Sequence, residues 1–141
     1  MPFALLYISD NQVAEAEHAV EIARILASSL ANNRALSVTG ALVSTPDHYA
    51  QILEGSRDVV AKVMEWIEAD PRHANVRVLL REMHPQRSFA RWSMAHIGHS
   101  AELDGAIGVL AHSPVPSPGN VSALWSLMES LAAETDPARS T

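Results

Sequence analysis

Residues 32–55 read NNRALSVTGALVSTPDHYAQILEG, a stretch that sets two neighbouring amides ahead of two β-rich runs divided by Pro46-Asp47. The Pro-Asp pair is a turn signal, so Ser37 to Ser44 and Tyr49 to Glu54 predict the two arms of a hairpin. Side chains alternate along a strand, which places Tyr49, Gln51 and Leu53 on one face and Ala50, Ile52 and Glu54 on the other. Gln51 is thereby expected among apolar neighbours. A buried carboxamide has two donors and two acceptor sites, and leaving one unmade costs about 1–3 kcal/mol. Gln51 therefore requires a polar partner at its own depth, and a core glutamine bonded to backbone meets that requirement as well as one facing a ligand.

On the N-terminal side, Phe3 to Ser9 alternates as a strand with Phe3, Leu5, Tyr7 and Ser9 on one face, ending where Asp10-Asn11 offers a turn and a helix cap. The alanine-rich run from Gln12 to Leu30 favours helix, and Ile22, Ile25, Leu26 and Ser29 form a stripe that continues to Asn32 and Asn33. One asparagine there reads as a helix C-cap; two in a row weaken that reading. On the C-terminal side, Ser56 caps a second helix, Arg57 to Asp70, with Val59, Val60, Val63 and Ile67 as its buried stripe and Pro71 as its stop. Asn75 to Met83 reads as a strand with Val76, Val78 and Leu80 on one face. Phe89 to Gly98 reads as another, with Trp92, Met94 and His96 sharing a face.

The order strand, helix, strand, strand, helix, strand, strand predicts an α+β, ferredoxin-like sandwich: a five-stranded mixed sheet with two helices on one face. Beyond it, Ala101 to His112 predicts a short helix, and the three prolines of Ser113 to Gly119 a linker. Val121, Leu124, Trp125, Met128 and Leu131 recur at helical spacing, so Asn120 to Glu134 predicts an amphipathic helix, with a fraying tail, DPARST, behind it. The expected division is a domain over residues 1–98 and a C-terminal helical extension over 99–141.

Composition narrows the function. The chain has 141 residues, 48% of them hydrophobic, enough for a real core. A formal net charge of -6 with ten Lys and Arg argues against a nucleic-acid surface. The apolar run Phe3 to Ile8 is too short for a signal peptide or membrane span, which points to a cytoplasmic protein without membrane partners. With no cysteine, disulfides and thiolate metal sites are excluded. GxGxxG, Walker, GxSxG and HExxH signatures are absent, and His96 and His99, three apart on a predicted strand, point to opposite faces rather than to one metal. The scattered carboxylates read as solvated faces.

What remains is a set of hydrogen-bonding side chains on separate elements: Tyr7, Ser29, Asn32, Asn33, Gln51, Arg72 and His73, with Trp92 and Met94 beyond. In LLYIS, ILASSLANN running into SVTGAL, then YAQILEG, DPRH and FARWSM, the chain resembles the BLUF family of blue-light sensors over roughly residues 3–98. Each motif is weak alone, and their common order and spacing make the set specific.

The resemblance implies a photoreceptor that binds a flavin (FAD, with FMN or riboflavin possible) between two helices and turns over no substrate. Tyr7 would correspond to the electron and proton donor and Gln51 to its bridge to the flavin. Asn33 would grip the pyrimidine edge, with Ile25, Ser29 and Asn32 as neighbours, Arg72 and His73 near the ring or its chain, and Trp92 and Met94 responding to light. Trp66 stands where some members carry Arg or His, and is read as a core or interface aromatic. With no effector domain following, the signal is expected to leave through a downstream protein partner, with homo-oligomers expected. The rival readings are a flavin oxidoreductase, an acylphosphatase-like hydrolase, or a pigment-free interaction module, since this fold hosts many activities.

Overall fold

In a computed structural model, described over residues 1–134, five strands form one sheet. They are β1 (Phe3–Asn11), β2 (Thr39–Ser44), β3 (His48–Gly55), β4 (His73–Met83) and β5 (Ala95–Gly98), in the order β4-β1-β3-β2-β5. Only the β2–β5 pairing is parallel; β1–β3, β1–β4 and β2–β3 are antiparallel. Helices α1 (His18–Ala35) and α2 (Arg57–Ala69) cover one face, burying Phe3, Leu5, Tyr7, Leu42, Tyr49 and Leu53 beneath Ile25, Val60 and Val63. This is the expected sandwich. The tail DPARST lies outside the described residues.

Helices α3 (Ala101–Ala111) and α4 (Pro118–Ala133) pack on the opposite face, over Leu6, Ile8, Ala41, Val43, Ala50 and Ile52. Leu103, Ile107, Leu110 and Leu124 are fully buried there, each removal from water contributing about 1.5–3 kcal/mol. Both faces of the sheet are therefore dry, which explains why β1 and β3 are buried almost end to end. Ser56, Ser100 and Ser117 each accept a backbone N–H at the head of α2, α3 and α4.

Several local expectations are corrected. Helix α1 starts at His18 rather than Gln12, because Asn11 Oδ1 takes the Val13 amide and a 3-10 turn fills Glu15–Glu17. It runs on through Ala35, so Asn32 and Asn33 sit in its last turns and are not its caps. Pro118 is no longer linker; it occupies the first turn of α4, where its missing N–H costs nothing.

On β4 the register slips against β1 between Leu6 and Tyr7, Leu6 facing Leu80 but Tyr7 facing Val78. That bulge turns Leu80 to the α3–α4 side while Val76 and Val78 stay with α1 and α2, so the three do not share a face. A second slip lies between Ile8 and Asp10, near Asn75, whose φ of 52° is a left-handed conformation that asparagine tolerates.

Strand β5 is the largest departure. It spans Ala95–Gly98 only, and the preceding residues curl into turns. The amides of Ser88 and Phe89 are taken by the Glu54 carboxylate and that of Trp92 by the Phe89 carbonyl, so this segment does not extend the ladder. Trp92 and Met94 consequently face opposite sides of the sheet: Trp92 joins the α3–α4 core and Met94 the α1–α2 core.

Candidate functional site

The antiparallel register places Gln51 of β3 directly opposite Tyr7 on β1 and Leu42 on β2. A slip of one residue would turn Tyr7 to the other face, so the pairing is as firmly specified as the core itself. Tyr7 is fully buried and donates its hydroxyl to Gln51 Oε1 at 2.5 Å. The opposite end of the same carboxamide, Nε2, reaches Met94 Sδ at 3.5 Å. Thioether sulfur is a weak acceptor, so one hand of Gln51 is held firmly and the other loosely. Burial, reinforced by Tyr49 and Asp70, pushes the Tyr7 phenol far above its ordinary range; it stays a protonated donor.

Above this pair a narrow slot of about 100 Å³ lies between α1 and α2. Ile25, Leu42, Val63 and Ile67 supply apolar walls, and Asn33 and Gln51, both nearly inaccessible, supply buried amides. Asn33 donates Nδ2 to the Ser93 carbonyl at 2.9 Å, while its Oδ1 has no partner among the described residues. The rim carries Ser28, Ser29, Asn32 and Trp66.

At the other end, Arg72 and His73 follow α2. Arg72 is tied to Asp70 by Nε at 3.0 Å and Nη2 at 2.6 Å, and to Glu21 of α1 by Nη1 at 3.4 Å. Burial alone would raise Asp70, but the Arg72 hydrogen bonds outweigh it and hold the carboxyl below its usual range. His73 meets Ser9 Oγ through Nδ1 at 2.8 Å and lies tilted against Tyr49 with ring centres 4.4 Å apart. Burial drives its pKa down to about 4, against the pull of Asp70, so the imidazole is neutral near pH 7.

The slot thus gathers Ile25, Ser29, Asn32, Asn33, Gln51, Arg72 and His73, with Tyr7 and Met94 touching Gln51 from behind. Trp92 is not among them. Trp66 is not a core residue: it is 46% exposed on the slot's rim. Ser28, Leu42, Val63, Ile67 and Asp70 also line the slot and were not anticipated there. The helical stripe that predicted burial of Val63 and Ile67 was the available signal, and it does not tell a core position from a slot wall. Apolar walls around a few convergent amides suit a flat heterocycle with carbonyl and N–H groups along one edge, and a flavin ring fits that description.

Comparison with known proteins agrees. The family model described as BLUF, sensors of blue-light using FAD, matches residues 3–95. The chain is 38% identical over 68 residues to the blue light- and temperature-regulated antirepressor BluF of Escherichia coli (strain K12), a match covering 47% of this chain and only 17% of that protein. Among solved structures, the dark state of BlrB, a BLUF protein, superimposes with a TM-score of 0.76 at 28% identity, covering 95% of this chain and 97% of that one. The photo-activated state of BlsA superimposes with a TM-score of 0.79 over 92% of this chain and 95% of that one; at 23% identity it supports the fold alone. The chain belongs to the BLUF family, sensors of blue light that use a flavin.

Proposed function

We propose that Tyr7 and Gln51 form the photoactive relay of this blue-light sensor, with Met94 as the loose contact that Gln51 releases, and that FAD is the flavin bound in the cell, FMN and riboflavin also being admitted. The observation that carries the reading is the buried hydrogen bond from Tyr7 to Gln51 Oε1, with Met94 Sδ at the amide's other end. Bound in the slot, a flavin would supply blue absorption and, in its excited state, the capacity to take up an electron and a proton. Asn33 Oδ1 would orient the ring from α1, and Ile25, Leu42, Val63 and Ile67 would exclude water from its faces.

Tyr7 suits the donor role because its phenol keeps the proton in the dark and surrenders it only when an electron leaves with it. Gln51 suits the switch role because its two ends differ: rotation of the carboxamide would set Nε2 against Tyr7 and Oε1 against Met94. Reorganising one or two buried hydrogen bonds is worth about 1–3 kcal/mol, enough to shift a two-state element about five- to a hundredfold.

The output we propose is a change in association with a protein partner or with further copies of the chain, in the cytoplasm and without turnover of a substrate. The E. coli relative's name, antirepressor, supports a protein partner. Among the described residues no helix is long and apolar enough to cross a membrane. The test is an absorption spectrum of the purified protein before and after blue light, with the extracted pigment identified. A small red shift of flavin bands that reverses in the dark supports the reading; a protein that takes up no flavin, or a flavin that only bleaches, overturns it.

A further inference from the structure

Glu54 is a carboxylate with no exposure to solvent, three residues beyond Gln51 on β3 and on the opposite face of the strand. Burying a charge is costly unless its oxygens are fully bonded, and here they are. Oε1 accepts from Thr39 Oγ1 at 3.0 Å and from the Phe89 amide at 2.9 Å, and Oε2 accepts from the Ser88 amide at 2.6 Å. Arg87 closes the cluster, donating Nη1 to Thr39 Oγ1 at 3.0 Å and to the Glu54 carbonyl at 3.3 Å.

The residues so gripped begin the segment that ends at the switch. From Phe89 it passes to Trp92, whose carbonyl accepts from Gly40 N at 3.2 Å, then to Ser93, bound by Asn33, and Met94, bound by Gln51. The segment is therefore a strap. One end is held by strong charge-assisted bonds to Glu54, the other by one amide bond and one weak contact to sulfur.

We propose that Glu54 is a positioning residue for the photocycle: by fixing Ser88 and Phe89 it sets where Ser93 and Met94 stand against Asn33 and Gln51, and so sets how long the lit arrangement survives. The proposal rests on the Tyr7–Gln51 reading above. It separates two properties that a pocket residue would change together. Glu54 does not line the slot, so it leaves flavin affinity alone while controlling the return of Gln51 and Met94 to their dark places.

The test compares wild type, Glu54→Gln, Thr39→Val and the control Ile52→Val, which trims the same strand on the same face and removes none of the strap's hydrogen bonds. Glu54→Gln keeps the shape but turns one acceptor into a donor facing backbone N–H groups; Thr39→Val removes one bond to Glu54, together with the bond Thr39 accepts from Arg87, and serves should Glu54→Gln not fold. Each is titrated with FAD and riboflavin by fluorescence, and its dark recovery is timed after blue light. Expected are flavin affinities within about twofold of wild type and recovery about fivefold faster in Glu54→Gln, with a smaller acceleration in Thr39→Val. Ile52→Val should recover as wild type does, even where its melting temperature falls as far. Equal recovery in all four proteins, or a recovery that simply tracks melting temperature, overturns the proposal. A wild type that binds flavin without any reversible shift overturns the underlying reading instead.

Discussion

Trp92 and Met94 stand two positions apart and are buried in different cores, Trp92 under α3 and α4, Met94 under α1 and α2. Of the two, Met94 bonds Gln51, and the buried Trp92 indole N–H has no partner among the described residues. Their substitutions should therefore part company. Met94→Leu conserves volume but removes the acceptor of Gln51 Nε2, so the dark-state flavin bands and the recovery rate should both move, with stability changed by less than about 1.5 kcal/mol. Trp92→Phe should leave the bands in place and cost about 1 kcal/mol, the lost ring area being partly offset by loss of an unpaired donor. Dark spectra and thermal melts of the two variants check this; a band shift in Trp92→Phe as large as that in Met94→Leu contradicts it.

Gly40 marks the tightest backbone approach in the sheet. A Cβ built there falls 1.9 Å from the Ile52 carbonyl oxygen, a backbone atom that no rotamer change can withdraw. Gly40→Ala should destabilise by about 3 kcal/mol or more, beyond ordinary overpacking, through forced separation of β2 from β3. The soluble yield and melting temperature are the readouts, and a variant as stable as wild type would show that the two strands can separate cheaply.

His73 predicts a particular acid sensitivity. Its folded pKa of about 4 lies below the ordinary 6.5, so between those values the unfolded chain binds a proton that the folded chain refuses. The stability contributed by neutral His73 is complete above pH 6.5 and is lost as pH falls towards 4, to a total of about 3 kcal/mol. Urea midpoints measured across that window should fall for wild type and fall less steeply for His73→Gln. Parallel curves would show that other groups carry the acid sensitivity.

Arg77 of β4, paired opposite Ile8 of β1, holds the far end of α3. Its guanidinium donates to the carbonyls of Leu110 at 3.0 Å, Ser113 at 2.5 Å and Pro114 at 3.0 Å. These bonds close the C-terminal end of α3 and fix the turn into α4. Arg77→Ala should cost about 1.5–3 kcal/mol and speed hydrogen exchange at the last turn of α3 while the flavin bands stay put. Unchanged exchange there would show that burial of Leu110 alone holds the hairpin down.

How much of this was legible beforehand depends on where local rules and tertiary bonds agree. The strands β1 and β3 pair without a bulge, so period-two alternation carried Tyr7 and Gln51 to the correct face and to each other. The amides of α1 were visible as a polar end to an apolar stripe, although the helix continues past them. Leu80 departs from the face that alternation predicts because one extra residue in β4 reverses every facing beyond it, and nothing in the run from Asn75 to Met83 announces a bulge. Trp92 departs from its expected face for a different reason. Residues from Phe89 onward have strand-like composition, but the Glu54 carboxylate, far away in sequence, captures the amides that a strand would need. A pattern within the segment cannot report a hydrogen bond supplied from outside it. Trp66 shows the same limit, since its helical phase fits a core, an interface or the rim of a slot equally well.

The most direct test of the central claim is the blue-light difference spectrum of flavin-loaded wild type beside Tyr7→Phe and Gln51→Ala. Each substitution removes one end of the hydrogen bond that joins β1 to β3 and leaves the slot walls in place. The account predicts a reversible red shift in wild type and none in either variant, with flavin still bound by both. A normal reversible shift in Gln51→Ala would contradict it, and would leave Gln51 a structural core amide.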